Sequence, residues 1–122
     1  MGKKILIVDD SKTIRQQVSF TLSKGGFEVV EAEDGALGLS ALKANLDVAL
    51  VISDVNMPNM NGIEMVQAIS KDQSINKIPV IMLTTEGSTE LIQKAKEAGA
   101  KGWLVKPFKP DQLLAAVSKL AG

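Results

Sequence analysis

The chain has 122 residues, a length that fits one domain with a buried core. It contains no cysteine and no histidine, which excludes disulfides, thiolate metal sites and histidine-based catalysis. Any metal must therefore bind oxygen ligands, which favours Mg²⁺, Mn²⁺ or Ca²⁺ over Zn²⁺. The 14 basic and 14 acidic residues give a formal net charge of zero, so we expect no nucleic-acid binding.

No segment of the sequence is typical of membrane insertion. The amino-terminal stretch MGKKILIVDD has too short an apolar run for a signal peptide, and acidic residues follow that run at once. No apolar segment is long enough to span a bilayer. We therefore expect a soluble, cytoplasmic protein that does not contact a membrane.

Apolar runs of strand length alternate with segments of helical periodicity. The first half of the chain predicts, in order, a strand at 4–8, a helix at 12–24, a strand at 27–32, a helix from about 35 to 44 and a strand at 48–53. In the first helix, Ile14, Val18 and Leu22 share one face, and Gly25-Gly26 is a suitable end. The strand VALVIS is wholly apolar apart from its last residue, which indicates burial on both faces.

The second half of the chain continues the same alternation. It predicts a helix at 62–71, a strand at 79–83, a helix from the candidate cap Ser88 to about 98, a strand at 102–105 and a helix at 111–120. Alternating strands and helices predict an α/β domain, with a parallel sheet covered by helices on both faces. We expect one domain over residues 1–122. Because the sequence ends directly after the last helix, we expect no output domain.

Polar side chains suited to chemistry lie at the ends of four predicted strands. Asp9 and Asp10 follow the first strand, and Asp54 follows the third. Thr84 follows the fourth strand and Lys106 the fifth. The carboxyl ends of parallel strands meet at one edge of an open sheet, where ligands bind. We therefore expect these five residues to form one site.

Three carboxylates in one cleft require a counter-charge. Two carboxylates about 4 Å apart repel each other by about 4 kcal/mol at an effective dielectric constant near 20. A hard cation such as Mg²⁺ and the ammonium of Lys106 would supply positive charge, a combination typical of phosphoryl-binding sites. Asp54 is the candidate nucleophile, because carboxylates can form aspartyl phosphates. Lys106 and the Thr84 hydroxyl would then contact the phosphoryl oxygens.

Each of these residues also has a simpler interpretation. As an isolated pair, Asp9-Asp10 favours a cap of the first helix. Lys106 alone is typical of a surface lysine, Thr84 of a hydroxyl bonded to the backbone, and Trp103 of a half-buried strand aromatic. The placement of the informative residues at the ends of different strands favours the phosphoryl site over these separate interpretations.

Four motifs together resemble the receiver domain of two-component response regulators, and most of all its stand-alone chemotaxis members. The motifs are VDD at 8–10, SDVNMPNMNG at 53–62, LTT at 83–85 and KGWLVKPF at 101–108. They occur in order over essentially the whole chain. The resemblance implies a doubly wound, flavodoxin-like (βα)5 fold whose five parallel strands have the order 2-1-3-4-5. It also implies a cis peptide bond between Lys106 and Pro107.

The resemblance implies a chemical role for each matched residue of the site. Asp54 would be the phosphoacceptor. Asp10, Asp54 and the backbone carbonyl of Asn56 would bind Mg²⁺, and Asp9 would act mostly through water. Lys106 would pair with the phosphoryl oxygens.

Further positions would control switching and its duration. Thr84 would move toward the phosphoryl group, and Trp103 occupies the aromatic switch position that would then turn inward. Asn56 and Glu86 flank the site and would set the lifetime of the aspartyl phosphate. Trp103 replaces the Tyr or Phe usual in this group, and Thr85 stands where a small residue such as Ala is common. Both departures bear on kinetics and on partner choice.

The function implied by the resemblance is a phosphorylation-controlled switch. A sensor histidine kinase would donate the phosphoryl group, and the phosphorylated monomer would bind a target such as a flagellar motor switch protein. The chain would catalyse only its own phosphorylation and dephosphorylation. The alternative is a receiver that relays or drains phosphate, or an interaction module in a non-motility pathway. An aspartate-nucleophile phosphatase is disfavoured, because Asn56 stands where such enzymes need a second Asp.

Overall fold

The computed structural model describes residues 3–85 and 88–121, within which five strands alternate with five helices. The strands are β1 (Lys4–Val8), β2 (Glu28–Ala32), β3 (Val48–Ser53), β4 (Val80–Thr84) and β5 (Gly102–Val105). The helices are α1 (Lys12–Lys24), α2 (Gly35–Ala44), α3 (Gly62–Lys71), α4 (Thr89–Ala98) and α5 (Pro110–Ala121). These bounds confirm the predicted elements to within about one residue. None of these helices is long and apolar enough to cross a membrane.

The strands form one parallel sheet in the order β2-β1-β3-β4-β5, as the resemblance implies. The central strands β3 and β4 are almost entirely buried, which explains why their sequences are nearly continuous apolar runs. The register sets Val8 beside Ser53 and Thr84 beside Val105. The residues that follow these positions are therefore brought to the same edge of the sheet.

Alternate residues of the strands supply two separate apolar cores. Ile5, Ile7 and Ile52 face one side of the sheet, where residues of α1 and α5 such as Val18 and Leu113 cover them. The opposite side is covered by α2, α3 and α4; its core is formed by residues including Leu6, Val51, Met82, Leu42, Met65 and Ala95. Because helices cover both faces, the carboxyl edge of the sheet remains available for a site.

Short polar side chains begin the helices that follow the strands. Ser88 accepts the N–H of Leu91 at 3.2 Å, which confirms it as the cap of α4. The suggestion that Asp9-Asp10 caps α1 is wrong, because Ser11 is the cap and accepts the N–H of Ile14 at 3.3 Å. The Asp9 carboxylate instead accepts the N–H of Ser11 itself at 2.9 Å. Both Asp9 and Asp10 are thus available for another role.

The two ends of the described chain meet at the amino edge of the sheet. The Lys3 ammonium lies just before β1 and donates to the carbonyl oxygen of Ala121, the last residue of α5, at 2.6 Å. A cation beside a helix carboxyl terminus satisfies an otherwise unbonded carbonyl and interacts favourably with the helix dipole.

Candidate functional site

Three carboxylates meet at the carboxyl edge of the sheet. Asp9 and Asp10 follow β1, and Asp54 follows the adjacent strand β3. The backbone N–H of Asp54 donates to the carbonyl of Val8 at 2.9 Å, which extends the strand pairing as far as the site. One carboxylate oxygen from each of the three residues lies within 4.8 Å of the others. Asp9 is buried, Asp54 is partly buried and Asp10 is exposed, so the cluster opens toward solvent through Asp10.

Lys106 places its ammonium between two of these carboxylates. Its Nζ atom lies 2.7 Å from Oδ2 of Asp9 and 3.4 Å from Oδ2 of Asp54. The three side chains are only 9%, 3% and 12% exposed, respectively, so the interpretation of Lys106 as an ordinary surface lysine is wrong. The ammonium offsets charge repulsion that would be costly where solvent is largely excluded.

The carbonyl of Thr84 fixes the backbone of Lys106, because it accepts the Lys106 N–H at 2.8 Å. Thr84 is fully buried and is the last residue of β4, one position later than predicted, since it still pairs with Val105. The peptide bond between Lys106 and Pro107 is cis, as expected. Thr84 therefore lies at the carboxyl edge, on the strand between β3 and β5.

The backbone around Asp54 is fixed by contacts that the sequence does not predict. The Val55 N–H donates to Oδ1 of Asp54 at 2.7 Å, and the Ser53 hydroxyl donates to its carbonyl at 2.8 Å. The start of α3 packs closely against the same peptide: a Cβ atom on Gly62 would overlap the Asp54 carbonyl oxygen. Only glycine permits this approach, so Gly62 is part of the support for Asp54.

A second unpredicted contact ties the loop after β3 to α2. The side-chain amide of Asn59 donates to Oδ2 of Asp34 at 2.8 Å, and Oδ1 of Asp34 accepts the Leu37 N–H at 2.8 Å as the cap of α2. The Gly35 N–H donates to the Met60 carbonyl at 3.0 Å. Asn59 has a φ of 67°, a left-handed conformation that asparagine tolerates better than most residues. One carboxylate thus stabilises both a helix start and the loop that carries Asn56.

The double role of Asp34 predicts a specific sensitivity to acid. The Leu37 N–H and then the Asn59 amide hold the pKa of Asp34 below its ordinary value of 3.8, outweighing the opposing effect of burial. The unfolded chain therefore takes up a proton on Asp34 before the native chain does. Stability gained from these bonds is complete above about pH 3.8 and is lost as pH falls through the lower native pKa.

We expect Asp34→Asn, which retains an acceptor for the cap, to lose less stability on acidification than the parent protein. The measurement is the urea midpoint of unfolding between about pH 5 and about pH 2. Parallel loss of stability in both proteins across this range would contradict the assignment.

The remaining predicted residues lie near the carboxylates or one strand away. Asn56 is exposed in the loop after β3. Trp103 is partly buried on β5 opposite Met82 in the register, and it packs against the core beneath α2, α3 and α4. Its indole N–H is buried and has no hydrogen-bond partner among residues 3–85 and 88–121. Glu86, the second predicted lifetime residue, lies outside the described residues.

The donor set fits a hard divalent cation. All three acidic groups offer oxygen, no histidine or cysteine exists to favour a softer metal, and the exposed Asp10 leaves room for water ligands. Lys106 already neutralises part of the charge without filling the open side of the cluster. The arrangement can therefore combine a metal, an ammonium and a carboxylate nucleophile around one anionic group.

Comparison with known proteins identifies the family. The model of the response regulator receiver domain matches residues 5–118. Chemotaxis protein CheY1 of Helicobacter pylori is 44% identical over 111 residues, which cover 90% of each chain. A chemotaxis protein CheY homolog of Campylobacter jejuni is 39% identical over 120 residues, which cover 98% of this chain and 92% of the homolog.

Solved structures give the same result. Chemotaxis protein CheY4 of Vibrio cholerae superposes with a TM-score of 0.92 at 45% identity, covering 98% of this chain and 99% of that one. A response regulator from Chloroflexus aurantiacus described as putative superposes with a TM-score of 0.93 at 30% identity, covering 99% and 98%. The fold, the matched residues and the shared identity lead to one conclusion: the chain belongs to the response regulator receiver domain family.

Proposed function

We propose that residues 1–122 form a single-domain response regulator that accepts a phosphoryl group on Asp54 from a sensor histidine kinase. The observation that supports this best is the Lys106 ammonium, which contacts Asp9 and Asp54 within a cluster of three carboxylates. The chain is a cytoplasmic monomer that catalyses only its own phosphorylation and dephosphorylation. Its output is controlled binding of a partner protein such as a flagellar motor switch protein. The chemotaxis relatives support a role in chemotaxis.

Mg²⁺ is the cofactor in this proposal. Asp10, Asp54 and the carbonyl of Asn56 would hold it, with Asp9 acting mostly through water. When bound, Mg²⁺ supplies positive charge for the phosphoryl oxygens. The chain itself contributes the oxygen ligands. Without metal, the Lys106 ammonium offsets the charge repulsion between the carboxylates of Asp9 and Asp54.

The two oxygens of Asp54 have different environments, which supports Oδ2 as the nucleophile in this proposal. Oδ1 accepts the Val55 N–H at 2.7 Å, whereas Oδ2 faces Lys106. Oδ2 would attack the phosphorus of a phosphohistidine, so that an O–P bond forms while the N–P bond breaks and the electron pair returns to the imidazole. Lys106 and the Thr84 hydroxyl would stabilise the phosphoryl oxygens in this step. Attack by water would later release phosphate, at a rate set by Asn56 and Glu86.

An apolar groove beside the site offers a route for the phosphodonor. It has a volume of about 450 Å³, and its walls include Phe20, Phe108, Thr85 and Lys106. Phe20 is largely exposed there. A kinase segment lying in this groove would contact Lys106, the residue whose ammonium lies 3.4 Å from Oδ2 of Asp54.

The output would depend on Thr84 and Trp103. In the proposed switch, Thr84 moves toward the phosphoryl group, Trp103 turns further inward, and the face formed by α4, β5 and α5 binds the target. Val105 is 48% exposed on this face and is available for contact. A shift from 1:99 to 99:1 between two conformations requires about 5.5 kcal/mol of differential stabilisation.

We expect beryllofluoride with Mg²⁺ to give a saturable change in the fluorescence of Trp103, the only tryptophan in the chain. The reason is that an anion at Asp54 would draw Thr84 toward it, and the movement of Thr84 would free space for the indole of Trp103. An acyl phosphate donor should add one phosphoryl group by mass spectrometry. Asp54→Asn should abolish both signals.

The two readouts separate the parts of the proposal. Phosphorylation without a fluorescence change would contradict the movement of Trp103 and leave the acceptor role intact. Absence of modification by both the acyl phosphate and a histidine kinase would overturn the phosphoacceptor role. A phosphorylated protein that fails to bind a motor-switch peptide would favour the relay or sink over motor control.

A further inference from the structure

Arg15 is a buried arginine that lies directly behind the acidic cluster. It is 8% exposed, in the first turns of α1. Its Nη1 atom donates to the backbone carbonyl oxygen of Asp9 at 2.6 Å, and its Nε atom donates to Glu31 on β2 at 3.1 Å. A planar guanidinium can make two such bonds in fixed directions at once. Arg15 therefore connects β2 to the turn between β1 and α1.

This contact determines the direction of a peptide plane. The carbonyl of Asp9 and the N–H of Asp10 belong to the same planar peptide unit. The side chain of Asp9 is already held by the Ser11 N–H and by Lys106, but Asp10 is exposed. A hydrogen bond to the Asp9 carbonyl therefore restrains the orientation of the peptide plane that leads into Asp10. Arg15 is thus placed to orient the open carboxylate of the cluster.

We propose that Arg15 is a positioning residue for the cation site: its fork, anchored by Glu31, holds the Asp9–Asp10 peptide so that Asp10 faces Asp54. The inference rests on the proposed Mg²⁺ site. Neither of these two hydrogen bonds of Arg15 is made to a carboxylate oxygen of the cluster. It acts through the backbone.

The sign of the effect separates positioning from charge. A positive charge near three carboxylates disfavours the binding of a second cation. If Arg15 acted only through its charge, its removal would therefore tighten Mg²⁺ binding. Loss of positioning would weaken it, because Asp10 would sample more directions. Residues that orient metal ligands typically affect metal affinity by about 10- to 100-fold. We expect Arg15→Met to weaken Mg²⁺ binding by about tenfold.

The measurement is the dissociation constant of Mg²⁺ by titration calorimetry on the full chain, with circular dichroism to verify folding. Arg15→Lys keeps the charge but replaces the planar fork with a compact ammonium, so we expect binding about fivefold weaker than in the parent. Glu31→Gln keeps an acceptor for Arg15 and should weaken binding by about twofold at most. Glu28→Gln makes the same change at an exposed position of β2 and is the matched control, with parent-like Mg²⁺ binding expected.

Each outcome decides the inference. Unchanged or tighter Mg²⁺ binding in folded Arg15→Met would overturn it, and so would complete recovery of affinity in Arg15→Lys. If Arg15→Met does not fold, the lysine variant decides alone. If the parent protein itself binds no Mg²⁺, the proposed function has failed at its metal site, an outcome distinct from a variant that binds as well as the parent.

Discussion

Replacement of Gly62 by alanine is expected to destabilise the protein by about 3 kcal/mol, at the upper end of the usual cost of overpacking a core. The added Cβ would overlap the carbonyl oxygen of Asp54 and lie 2.8 Å from Cε of Met82. The methionine can move aside, but a backbone carbonyl cannot rotate away without moving Asp54 itself. We therefore expect slower phosphorylation from an acyl phosphate as well as a lower urea midpoint.

Gly102→Ala is a matched control for this prediction. A Cβ at Gly102 would meet its nearest neighbour, Cγ1 of Ile81, at 3.4 Å, which is ordinary van der Waals contact. Its stability should stay within about 0.5 kcal/mol of the parent. Equal stability of the two variants would show that the start of α3 can shift to accept the added methyl group. It would contradict the claim that Gly62 helps to fix the backbone of Asp54.

Lys106→Met is expected to have opposite effects on metal binding and on phosphorylation. The substitution leaves the carboxylates of Asp9 and Asp54 facing each other without the ammonium, in a largely buried setting. We expect a loss of about 2 kcal/mol of stability without metal, between the values for exposed and fully buried ion pairs. Mg²⁺ should bind more tightly than in the parent, because it replaces the missing charge. Phosphorylation should slow by about 100-fold, since a group that stabilises the phosphoryl oxygens is lost.

Urea unfolding with and without saturating Mg²⁺ tests the first effect, and mass spectrometry after a timed reaction with an acyl phosphate tests the second. Lys109→Met makes the same change at an exposed position on the same segment and should match the parent in both assays. Weaker Mg²⁺ binding in Lys106→Met would show that the lysine organises the carboxylates rather than offsetting their charge. A parent-like phosphorylation rate would remove Lys106 from the transfer step.

The elements and the carboxylates were predictable because their signals are local. The run VALVIS indicates a buried strand, and an acid directly after it must lie at the strand end. Strand order came only from the resemblance to a family, because periodicity does not tell which strands are neighbours. Strand β4 ends one residue later than predicted. The reason is that Thr84 pairs with Val105, a partner distant in sequence that the local pattern does not indicate.

The supporting residues could not be predicted, because each acts through the backbone or through a distant partner. Arg15 bonds to a carbonyl oxygen, which every residue possesses, so nothing in the sequence marks that partner. Asp34 and Asn59 are 25 positions apart and meet only after the loop folds over α2. Gly62 belongs to the motif at 53–62, but glycine is required there because the start of α3 packs against the Asp54 carbonyl, a contact that the sequence does not indicate.

The contact between Lys3 and Ala121 places both ends of the described chain close together, which suits the domain to insertion or fusion. Both residues lie at the amino edge of the sheet, whereas the carboxylates and Lys106 lie at the carboxyl edge. A reporter or effector fused before Lys3 or after Ala121 would attach about one strand length, roughly 17 Å, from the phosphoryl site. The same proximity would let a short linker join the two ends in a circular permutant, with new ends opened in an exposed loop. The fold thus places the points where other domains can be attached at the opposite edge of the sheet from the carboxylate site.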